Sequence, residues 1–160
     1  MYFQYLLTFL TLALLHHSHA QNSNQDFLDA HNAARAQVGV APMTWDPKLA
    51  AYAYNHTNSI LADCKPAHSI KCPYGENLAK GARSILTGTA AVKAWVAEQK
   101  YYNYSTNTCL PAAVCGHYTQ VVWKKSVRLG CARALCNNGK AFITTCSYDP
   151  PGNYKGMKPY

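Results

Sequence analysis

The seven cysteines of this 160-residue chain constrain its fold more than any other feature of the sequence. Cysteine-rich chains of this size are typical of secreted domains in which disulfides supplement a modest hydrophobic core. The simplest framework is three bridges from six cysteines, and the odd count then leaves one cysteine over. The sequence has no pair of C-x-x-C motifs, which argues against a structural zinc site. The cysteines are Cys64, Cys72, Cys109, Cys115, Cys131, Cys136 and Cys146.

Residues 1–20 predict a secretory signal peptide. Residues 5–15 form an apolar run interrupted only by threonine, and Ser18-His19-Ala20 follows as a small-x-small cleavage signature. The run is too short to span a bilayer, and no later stretch is long enough. We therefore expect a secreted mature chain, residues 21–160, that forms a single domain with its own core and has no transmembrane segment.

The net charge of +8 lies entirely in the predicted mature chain. It favours contact with anionic surfaces such as cell walls, membranes or acidic polymers, although solubility alone is a sufficient explanation. The basic residues are scattered and are not interleaved with aromatic residues. We therefore expect no nucleic-acid partner.

Hydrophobic periodicity predicts three helices. Asp46 has the character of an N-cap, and Pro47 stands at the first helical position of the second helix. The predicted helical ranges are 25–38, 47 to about 61, and from 87 or 89 to about 101. Between the second and third helices, residues 63–83 read as an irregular loop.

The C-terminal half predicts a β-hairpin. Residues 127–135 and 141–148 read as strands, and Asn138-Gly139 between them is a strong turn signal. Residues 150–160 have little propensity for helix or strand. We expect them to form an extended tail, either held by neighbouring elements or loose.

A few polar side chains stand out as candidates for chemistry. His117 heads the apolar run of Gly116–Trp123, and the only two glutamates, Glu76 and Glu98, lie outside any charged cluster. His31 shares a helical face with Arg35 and is better explained by a structural role. His56 is better explained as a packed or surface residue than as a ligand.

The segment after the third predicted helix carries Tyr101, Tyr102 and Tyr104. These side chains either pack against the core or form a contact for an apolar ligand or a membrane, since tyrosine suits a boundary between apolar and aqueous surroundings. Asn55 and Asn103 each begin an N-glycosylation sequon.

Several ordered motifs resemble one protein family across nearly the whole predicted mature chain. It is the superfamily of cysteine-rich secretory proteins, antigen 5 and pathogenesis-related proteins, and the chain is most similar to its plant branch of class 1 pathogenesis-related proteins. The motifs are His31-Asn32-x-x-Arg35, Gly75-Glu76-Asn77-Leu78-Ala79, Trp95-x-x-Glu98, Gly116–Trp123 and Cys146-x-Tyr148-Asp149-Pro150.

The resemblance implies an α+β fold, a three-layer α-β-α sandwich with a central antiparallel sheet, stabilised by disulfides. It also implies which cysteines pair and leaves Cys72, absent from the six-cysteine pattern, unpaired. Cys72 could bind a metal as thiolate, pair with another chain or be inertly buried, and burial is favoured. The implied pairs are Cys64–Cys136, Cys109–Cys115 and Cys131–Cys146.

The resemblance further implies a cleft lined by His68, Glu76, Glu98 and His117. This tetrad has three interpretations: a buried polar network that ties loops together, a divalent metal site with zinc as the candidate, or an acid–base pair. No serine, cysteine or threonine nucleophile is placed beside it by motif, and relatives are mostly not accepted as enzymes. We therefore expect no catalysis and no required cofactor.

The function implied is that of a secreted, extracellular plant defence protein of the apoplast. It would be antimicrobial, including antifungal, by binding sterols or other lipids of pathogen membranes through Tyr101, Tyr102 and Tyr104, and we expect it to be a monomer. An alternative is a precursor that releases residues 150–160 as a peptide for a receptor, by cleavage between Asp149 and Pro150; Ser147 departs from the asparagine usual in that pattern. A second alternative is a metal-dependent hydrolase that uses the tetrad.

Overall fold

The computed structural model describes residues 22–160, so the predicted signal peptide lies outside the described residues. Four α-helices and six strands form this part of the chain, and a 3-10 helix, Ala97–Tyr101, continues α3. The helices are α1 (Asn24–Gln37), α2 (Pro47–Ser59), α3 (Gly88–Val96) and α4 (Gly116–Val121). The strands are β1 (Thr44–Trp45), β2 (Gly75–Ala82), β3 (Tyr102–Asn103), β4 (Thr108–Cys109), β5 (Arg128–Leu135) and β6 (Ala141–Asp149).

The first two helices begin at polar caps. Ser23 and Asp26 form a capping box at the start of α1. At the start of α2, the Asp46 carboxylate accepts hydrogen bonds from the backbone amides of Lys48 and Leu49, and Pro47 occupies the first turn. This confirms the predicted start of the second helix, where a proline costs no hydrogen bond because its position has no intrahelical acceptor.

The main sheet has the strand order β1-β5-β6-β2. The β5–β6 and β6–β2 pairs are antiparallel, whereas the two-residue β1 pairs with β5 in parallel. The predicted hairpin is confirmed, and Gly139 in its turn has a φ of +69°, a conformation that glycine adopts without strain.

The sequence-based interpretation of residues 63–83 as irregular was wrong for its second half. Residues 75–82 form β2 and pair with β6 along their whole length, from Gly75 opposite Tyr148 to Ala82 opposite Ala141. The predicted third helix also changes form, because residues 97–101 are 3-10 rather than α-helical. In addition, α4 is a helix that the periodicity did not predict.

The sheet separates two helical layers. On β6, Ile143 packs with Cys64 near the end of α2, and the Thr145 hydroxyl hydrogen-bonds to that of Thr57 in α2. The alternate residues Cys146 and Tyr148 belong to the core cluster formed with α1, α3 and α4. Because successive residues of a strand face opposite sides, the structure is a three-layer α-β-α sandwich, as predicted.

Helix α2 lies directly against β5. A Cβ at Gly130 would come within 2.1 Å of the Ala50 backbone nitrogen, so only glycine permits this approach. On the other face, the largest apolar cluster fills the space between the sheet and the three remaining helices. Each large side chain in it contributes roughly 1.5–3 kcal/mol through burial. Its largest members include Trp95, Tyr118, Leu129 and Tyr148.

Three disulfides join distant parts of this framework, and they are the pairs that the family resemblance implies. Cys64–Cys136 links the end of the α2 region to the end of β5, and Cys131–Cys146 crosses the β5–β6 pair. Cys109–Cys115 closes the loop between β4 and α4. Cys72 is the free cysteine within residues 22–160 and is half-buried.

Candidate functional site

Glu98 and His117 form a tight pair at the start of α4. The His117 Nδ1–H donates to Glu98 Oε1 at 2.7 Å, because a carboxylate can only accept. The other carboxylate oxygen, Oε2, accepts from the backbone amides of His117 and Tyr118 at 3.1 and 3.2 Å. Helix α4 has no side-chain cap from its own N-cap residue, Cys115. Glu98 therefore supplies from another element the acceptor that the first turn of α4 needs.

The opposite end of α4 is held by Arg35. One guanidinium nitrogen, Nη1, donates to the backbone carbonyls of Val121 and Trp123 at 3.1 and 2.9 Å. Arg35 is fully buried, and burial lowers the pKa of its guanidinium to about 10. It therefore stays charged at neutral pH. A positive charge at the C-terminal end of a helix and a negative charge at its N-terminal end both oppose the helix dipole.

A buried hydrogen-bond chain connects the backbone of His117 to α1. The His31 Nδ1–H donates to the Phe27 carbonyl at 2.7 Å, so its Nε2 accepts from the Tyr148 hydroxyl at 2.8 Å. The Asn77 amide donates to the Tyr148 oxygen and to the His117 carbonyl, each at 3.0 Å. The network requires a neutral imidazole at His31, and burial lowers the pKa of His31 to about 4.

This network confirms a structural role for His31 and adds a residue that sequence reasoning missed. Asn77 lies beside Glu76 in β2 and is buried, so it faces the opposite side of the sheet from its neighbour. The resemblance motif included Asn77 but gave it no role. The signal that could have found it was a second polar residue, directly after Glu76, within that motif.

Glu76 is the centre of the second pair. Its Oε1 accepts from the Nδ1–H of His68 at 2.8 Å and from the backbone amide of Ser69 at 2.9 Å, and its Oε2 accepts from the Ser69 hydroxyl. The Glu76 side chain is 4% exposed, whereas that of His68 is 65% exposed. Glu76 is thus fixed by several donors, and His68 is a surface partner.

His56 also lies close to this pair. Its Nε2 is 3.9 Å from Glu76 Oε2 and donates to the Ala67 carbonyl at 2.7 Å. The sequence-based interpretation took His56 as a packed or surface residue rather than a ligand, and its side chain is 12% exposed, but its position beside Glu76 was not foreseen. The sequence carries no signal for it, because α2 and the loop after it meet only in the folded chain.

The four predicted cleft residues thus occur as two His–Glu pairs. In each pair the carboxylate occupies Nδ1, which leaves Nε2 of His68 and His117 as the imidazole atoms that could take a further ligand. Across residues 22–160, no three side chains of His, Cys, Asp or Glu stand close enough together to hold a metal ion. Two nitrogen donors alone are fewer than the three protein ligands that zinc sites ordinarily use.

Cys72 stands in the loop beside Glu76. Its thiol hydrogen-bonds to the Tyr52 hydroxyl, and this contact is the main cause that raises the pKa of Tyr52 above its ordinary value. The Tyr52 ring meets Tyr74 edge to face, with 5.1 Å between centroids. Cys72 is therefore part of a small polar and aromatic cluster with Tyr52 and Tyr74.

The tyrosine segment forms a short hairpin, β3–β4. The Tyr102 hydroxyl donates to Asn107 Oδ1 at 2.6 Å, and its ring lies 6.1 Å from that of Tyr118 in the core. Tyr101 and Tyr104 are 37% and 39% exposed. Tyr102 therefore packs inward, as the first interpretation expected, whereas Tyr101 and Tyr104 are partly exposed, and contact with a ligand or a membrane stays a prediction.

The C-terminal segment, residues 150–160, is held against this hairpin and is not loose. The Tyr104 and Tyr160 rings stack with 4.5 Å between centroids, and the Tyr104 hydroxyl donates to the Tyr160 carbonyl. The Lys124 amide donates to the Pro159 carbonyl at 2.7 Å. The segment begins after Asp149, the last residue of β6, whose carboxylate pairs with Arg128.

A cleft of about 490 Å³ lies between the hairpin, α4 and the C-terminal segment. Pockets of this size hold small organic ligands. Trp123 lines the cleft, and its buried Nε1–H has no hydrogen-bond partner among residues 22–160. The lining residues are Tyr102, Asn107, Cys109, Ala113, Val114, Cys115, Gly116, Thr119, Trp123, Asn153, Tyr154, Gly156, Met157 and Pro159.

The two candidate glycosylation sites lie on the surface. Asn55 is exposed on α2, although the Thr57 hydroxyl of its sequon is buried and bonded to the Ala53 carbonyl and to Thr145. Asn103 is exposed on β3, beside the stacked Tyr104.

The fold, the disulfides and the paired His–Glu residues define one class of protein. The model of the cysteine-rich secretory protein family matches residues 28–148, and the chain belongs to this family. Within it, the similarity is to plant pathogenesis-related proteins of class 1, as the sequence motifs predicted.

Two curated plant relatives show how extensive that similarity is. The chain is 56% identical to pathogenesis-related protein 1A of Nicotiana tabacum, over 97% of this chain and 90% of that protein. It is 57% identical to pathogenesis-related protein 1 of Arabidopsis thaliana, over 97% of this chain and 93% of that protein. Among solved structures, Na-ASP-1 matches with a TM-score of 0.68 and 26% sequence identity. The match covers 84% of this chain and 40% of the longer Na-ASP-1 chain.

These relatives support assignment to plant defence. They are named as pathogenesis-related proteins and not as enzymes, which agrees with the expectation of no catalysis. Over residues 22–160, the helices are too short or too polar to cross a membrane.

Proposed function

We propose that this chain is a secreted antimicrobial plant protein that binds sterols or related lipids of pathogen membranes in the cleft beside the tyrosine hairpin. The observation that carries the proposal is the 490 Å³ cleft, which Tyr102 lines and which borders the exposed rings of the hairpin. Ligand pockets of this kind are largely apolar, with a few polar groups that fix orientation.

The chemistry of the cleft suits a ligand that is mostly apolar and carries one oxygen. Val114, Tyr154 and Met157 line it and are about half exposed, at 58%, 51% and 42%. The Nε1–H of Trp123 is a buried donor without an acceptor, and such a group costs roughly 1–3 kcal/mol. A ligand hydroxyl would relieve that cost if the indole turned slightly toward it. The net charge of +8 would favour the approach to an anionic membrane surface.

The three tyrosines named from the resemblance have different parts in this proposal. Tyr102 would contact the ligand directly, because it lines the cleft. Tyr101 and Tyr104 would contribute outside the cleft, Tyr101 at the exposed rim and Tyr104 through its stack on Tyr160.

The test is titration of the fluorescent sterol dehydroergosterol into the purified protein. We expect Tyr102→Ala to weaken binding at least tenfold and Tyr101→Ala to weaken it less. Tyr54→Ala is the control, since Tyr54 is an exposed tyrosine, at 57%, that lies on α2 and does not line the cleft. Equal affinity of Tyr102→Ala and the parent protein would contradict the assignment of the cleft.

For the tetrad we propose a positioning role that requires no metal. Glu98 holds the start of α4 through two backbone amides, and Glu76 holds the loop at Ser69. Glu98 therefore fixes backbone at the start of α4, and Glu76 fixes backbone in the loop that follows α2. Treatment with EDTA is expected to leave the thermal midpoint and the sterol affinity unchanged, whereas a drop in either after EDTA would support a bound metal.

A second candidate function is release of residues 150–160 as a signalling peptide for a receptor. The segment contains no helix or strand and is largely exposed, which would suit excision. The peptide bond to be cleaved, however, joins Pro150 to Asp149, and the Asp149 carboxylate is paired with Arg128. Mass spectrometry of extracellular fluid after infection would test this candidate, and finding only chains with an intact C-terminal segment would argue against it.

A further inference from the structure

We propose that residues 150–160, here called the strap, form one wall of the lipid cleft, so that ligand binding and detachment of the strap exclude each other. The inference rests on the proposed lipid function and deepens it, because it couples the cleft to a segment that the sequence suggested as a separate product. It is carried by two sets of contacts: those that anchor the strap and those that its residues make to the cleft.

The first half of the strap is anchored to α4 and the residues after it. The Gly152 amide donates to Gln120 Oε1 at 2.9 Å, and the Asn153 side chain donates to the Gly116 carbonyl at 2.8 Å. The Thr119 hydroxyl donates to Asn153 Oδ1 at 2.7 Å. Gly152 also lies so close to Trp123 that an added Cβ would be 2.7 Å from the indole.

The last residues of the strap are anchored to the tyrosine hairpin. Tyr160 stacks on Tyr104, and its hydroxyl lies 3.3 Å from that of Tyr118. The Lys158 ammonium lies over the same Tyr104 ring, 4.4 Å from its centroid. Pro159 is buried between these contacts. The strap is thus fixed at both ends and spans the space between them.

The middle of the strap faces the cleft. Tyr154, Gly156 and Met157 all line the cavity, and the Tyr154 ring lies 6.2 Å from that of Trp123, which lines it as well. Tyr102 and Val114 line it from the hairpin and the loop after it, and Gly116 and Thr119 line it from α4. Without the strap, the cleft would lose one of its three walls and would be open on that side.

A ligand that contacts the strap as well as the other walls binds the attached state of the strap and not the detached state. By mass action, such a ligand at ten times its Kd lowers the detached fraction about 11-fold. The same coupling acts in reverse, because any change that favours detachment weakens the ligand by an equal factor. The strap is therefore either a part of the binding site or a free segment, but not both at once.

The experiment compares strap variants of the full chain with dehydroergosterol as the probe. Met157→Ala shortens a wall residue, and Lys155→Ala is its matched control because Lys155 is exposed in the same segment and does not line the cleft. Tyr160→Ala removes the stack on Tyr104, and Tyr160→Phe retains it. We expect affinity at least fivefold weaker for Met157→Ala and Tyr160→Ala, with restoration in Tyr160→Phe.

Hydrogen exchange reads the strap directly. The amides of Gly152 and Lys124 are protected by bonds that break when the strap detaches. Sterol at ten times its Kd is expected to slow exchange at both amides about tenfold, and Tyr160→Ala is expected to speed it. Thermal unfolding of each variant establishes that it is folded. Because Met157 is partly exposed, Met157→Ala is expected to fold. If Tyr160→Ala does not fold, the sterol affinity of Met157→Ala tests the inference by itself.

The outcomes separate the inference from the function on which it rests. If the parent protein and both strap variants bind sterol equally while Tyr102→Ala does not, or if saturating sterol leaves the two amides unchanged, the cleft binds lipid without the strap and the inference is wrong. If the parent protein itself does not bind sterol, the proposed function fails and the inference fails with it.

Discussion

Glu98 and Arg35 hold opposite ends of the same six-residue helix, α4, which carries His117. Glu98 accepts from the amides of the first turn, and Arg35 donates to the carbonyls of the last. Neither charge pairs with the other, and each faces helix backbone instead. A helix this short is not stable by itself, so its formation depends largely on the hydrogen bonds of these two side chains.

Replacement of Arg35 by lysine should destabilise the protein strongly. The guanidinium donates to the carbonyls of Ala41, Val121, Trp123 and Ser126, and a single ammonium cannot reach all of them. Buried carbonyls left without donors should lower the free energy of unfolding by about 2–3 kcal/mol. Urea denaturation measures the change, and the exposed Arg83→Lys is the control, expected to be neutral. A loss below about 0.5 kcal/mol would refute this account of Arg35.

Glu98→Gln should loosen the start of α4 without unfolding the domain. The substitution removes the negative charge that faces the helix dipole and the two amides, an effect of about 1–2 kcal/mol. We expect faster hydrogen exchange at the amides of His117 and Tyr118, with amides of β6 unchanged. Asp29→Asn removes an exposed carboxylate that accepts a hydrogen bond from Gln25, far from α4 in the chain, and serves for comparison. Unchanged exchange at both amides would show that Glu98 does not cap α4.

Stability should fall between about pH 6.5 and pH 4 because of His31. The folded protein keeps His31 neutral to about pH 4, whereas the unfolded chain binds a proton near pH 6.5. The unfolded state therefore binds more protons in this interval, and the contribution is complete above it and lost as the pH falls. Between pH 7.5 and pH 5 the loss is about 2 kcal/mol.

The measurement for His31 is urea denaturation at several pH values in the parent protein and in His31→Gln. Glutamine lacks the titration, so its stability should change about 2 kcal/mol less across the same interval, whatever its stability at pH 7.5. Parallel curves for the two proteins would mean that His31 does not titrate as described.

The disulfides should differ in their contributions according to the loops they close. Cys64–Cys136 spans 72 residues and Cys109–Cys115 spans 6. Chain entropy predicts about 4 kcal/mol for the long loop and about 2 kcal/mol for the short one. Paired cysteine-to-alanine variants, compared by thermal unfolding under oxidising conditions, measure the difference. A larger effect from the short loop would indicate that local contacts, and not loop closure, set the contribution.

The elements that sequence reasoning predicted are those whose signals are local. Asp46 and Pro47 mark the start of α2, and Asn138-Gly139 marks the β5–β6 turn. Strand β2 was missed because Gly75–Ala82 has few strand-forming residues and is a strand only through its pairing with β6. Strand preference depends on such neighbours more than on the residues themselves.

The candidate site was predicted in part for the same reason. The family resemblance named His68, Glu76, Glu98 and His117 as the lining of one cleft, because resemblance carries residue identity, but it did not predict that they form two His–Glu pairs. It could not reveal that His56 approaches Glu76 across the loop, or that Tyr160 stacks on Tyr104 from 56 residues away. Both contacts join segments that lie apart in the sequence and meet only in the folded chain.

The dependence of α4 on its two charged partners has a consequence for the order of folding. Arg35 and Glu98 both precede α4 in the chain, so on the ribosome the two holding groups are made before the helix that they hold. The contacts of Arg35 with α4 and the residues after it reach across 86 to 91 residues, which places them among the long-range contacts that form slowly. We therefore expect α4, which carries His117, to be among the last parts of the domain to become ordered. Substitutions in α4 should then give φ-values near zero in folding kinetics.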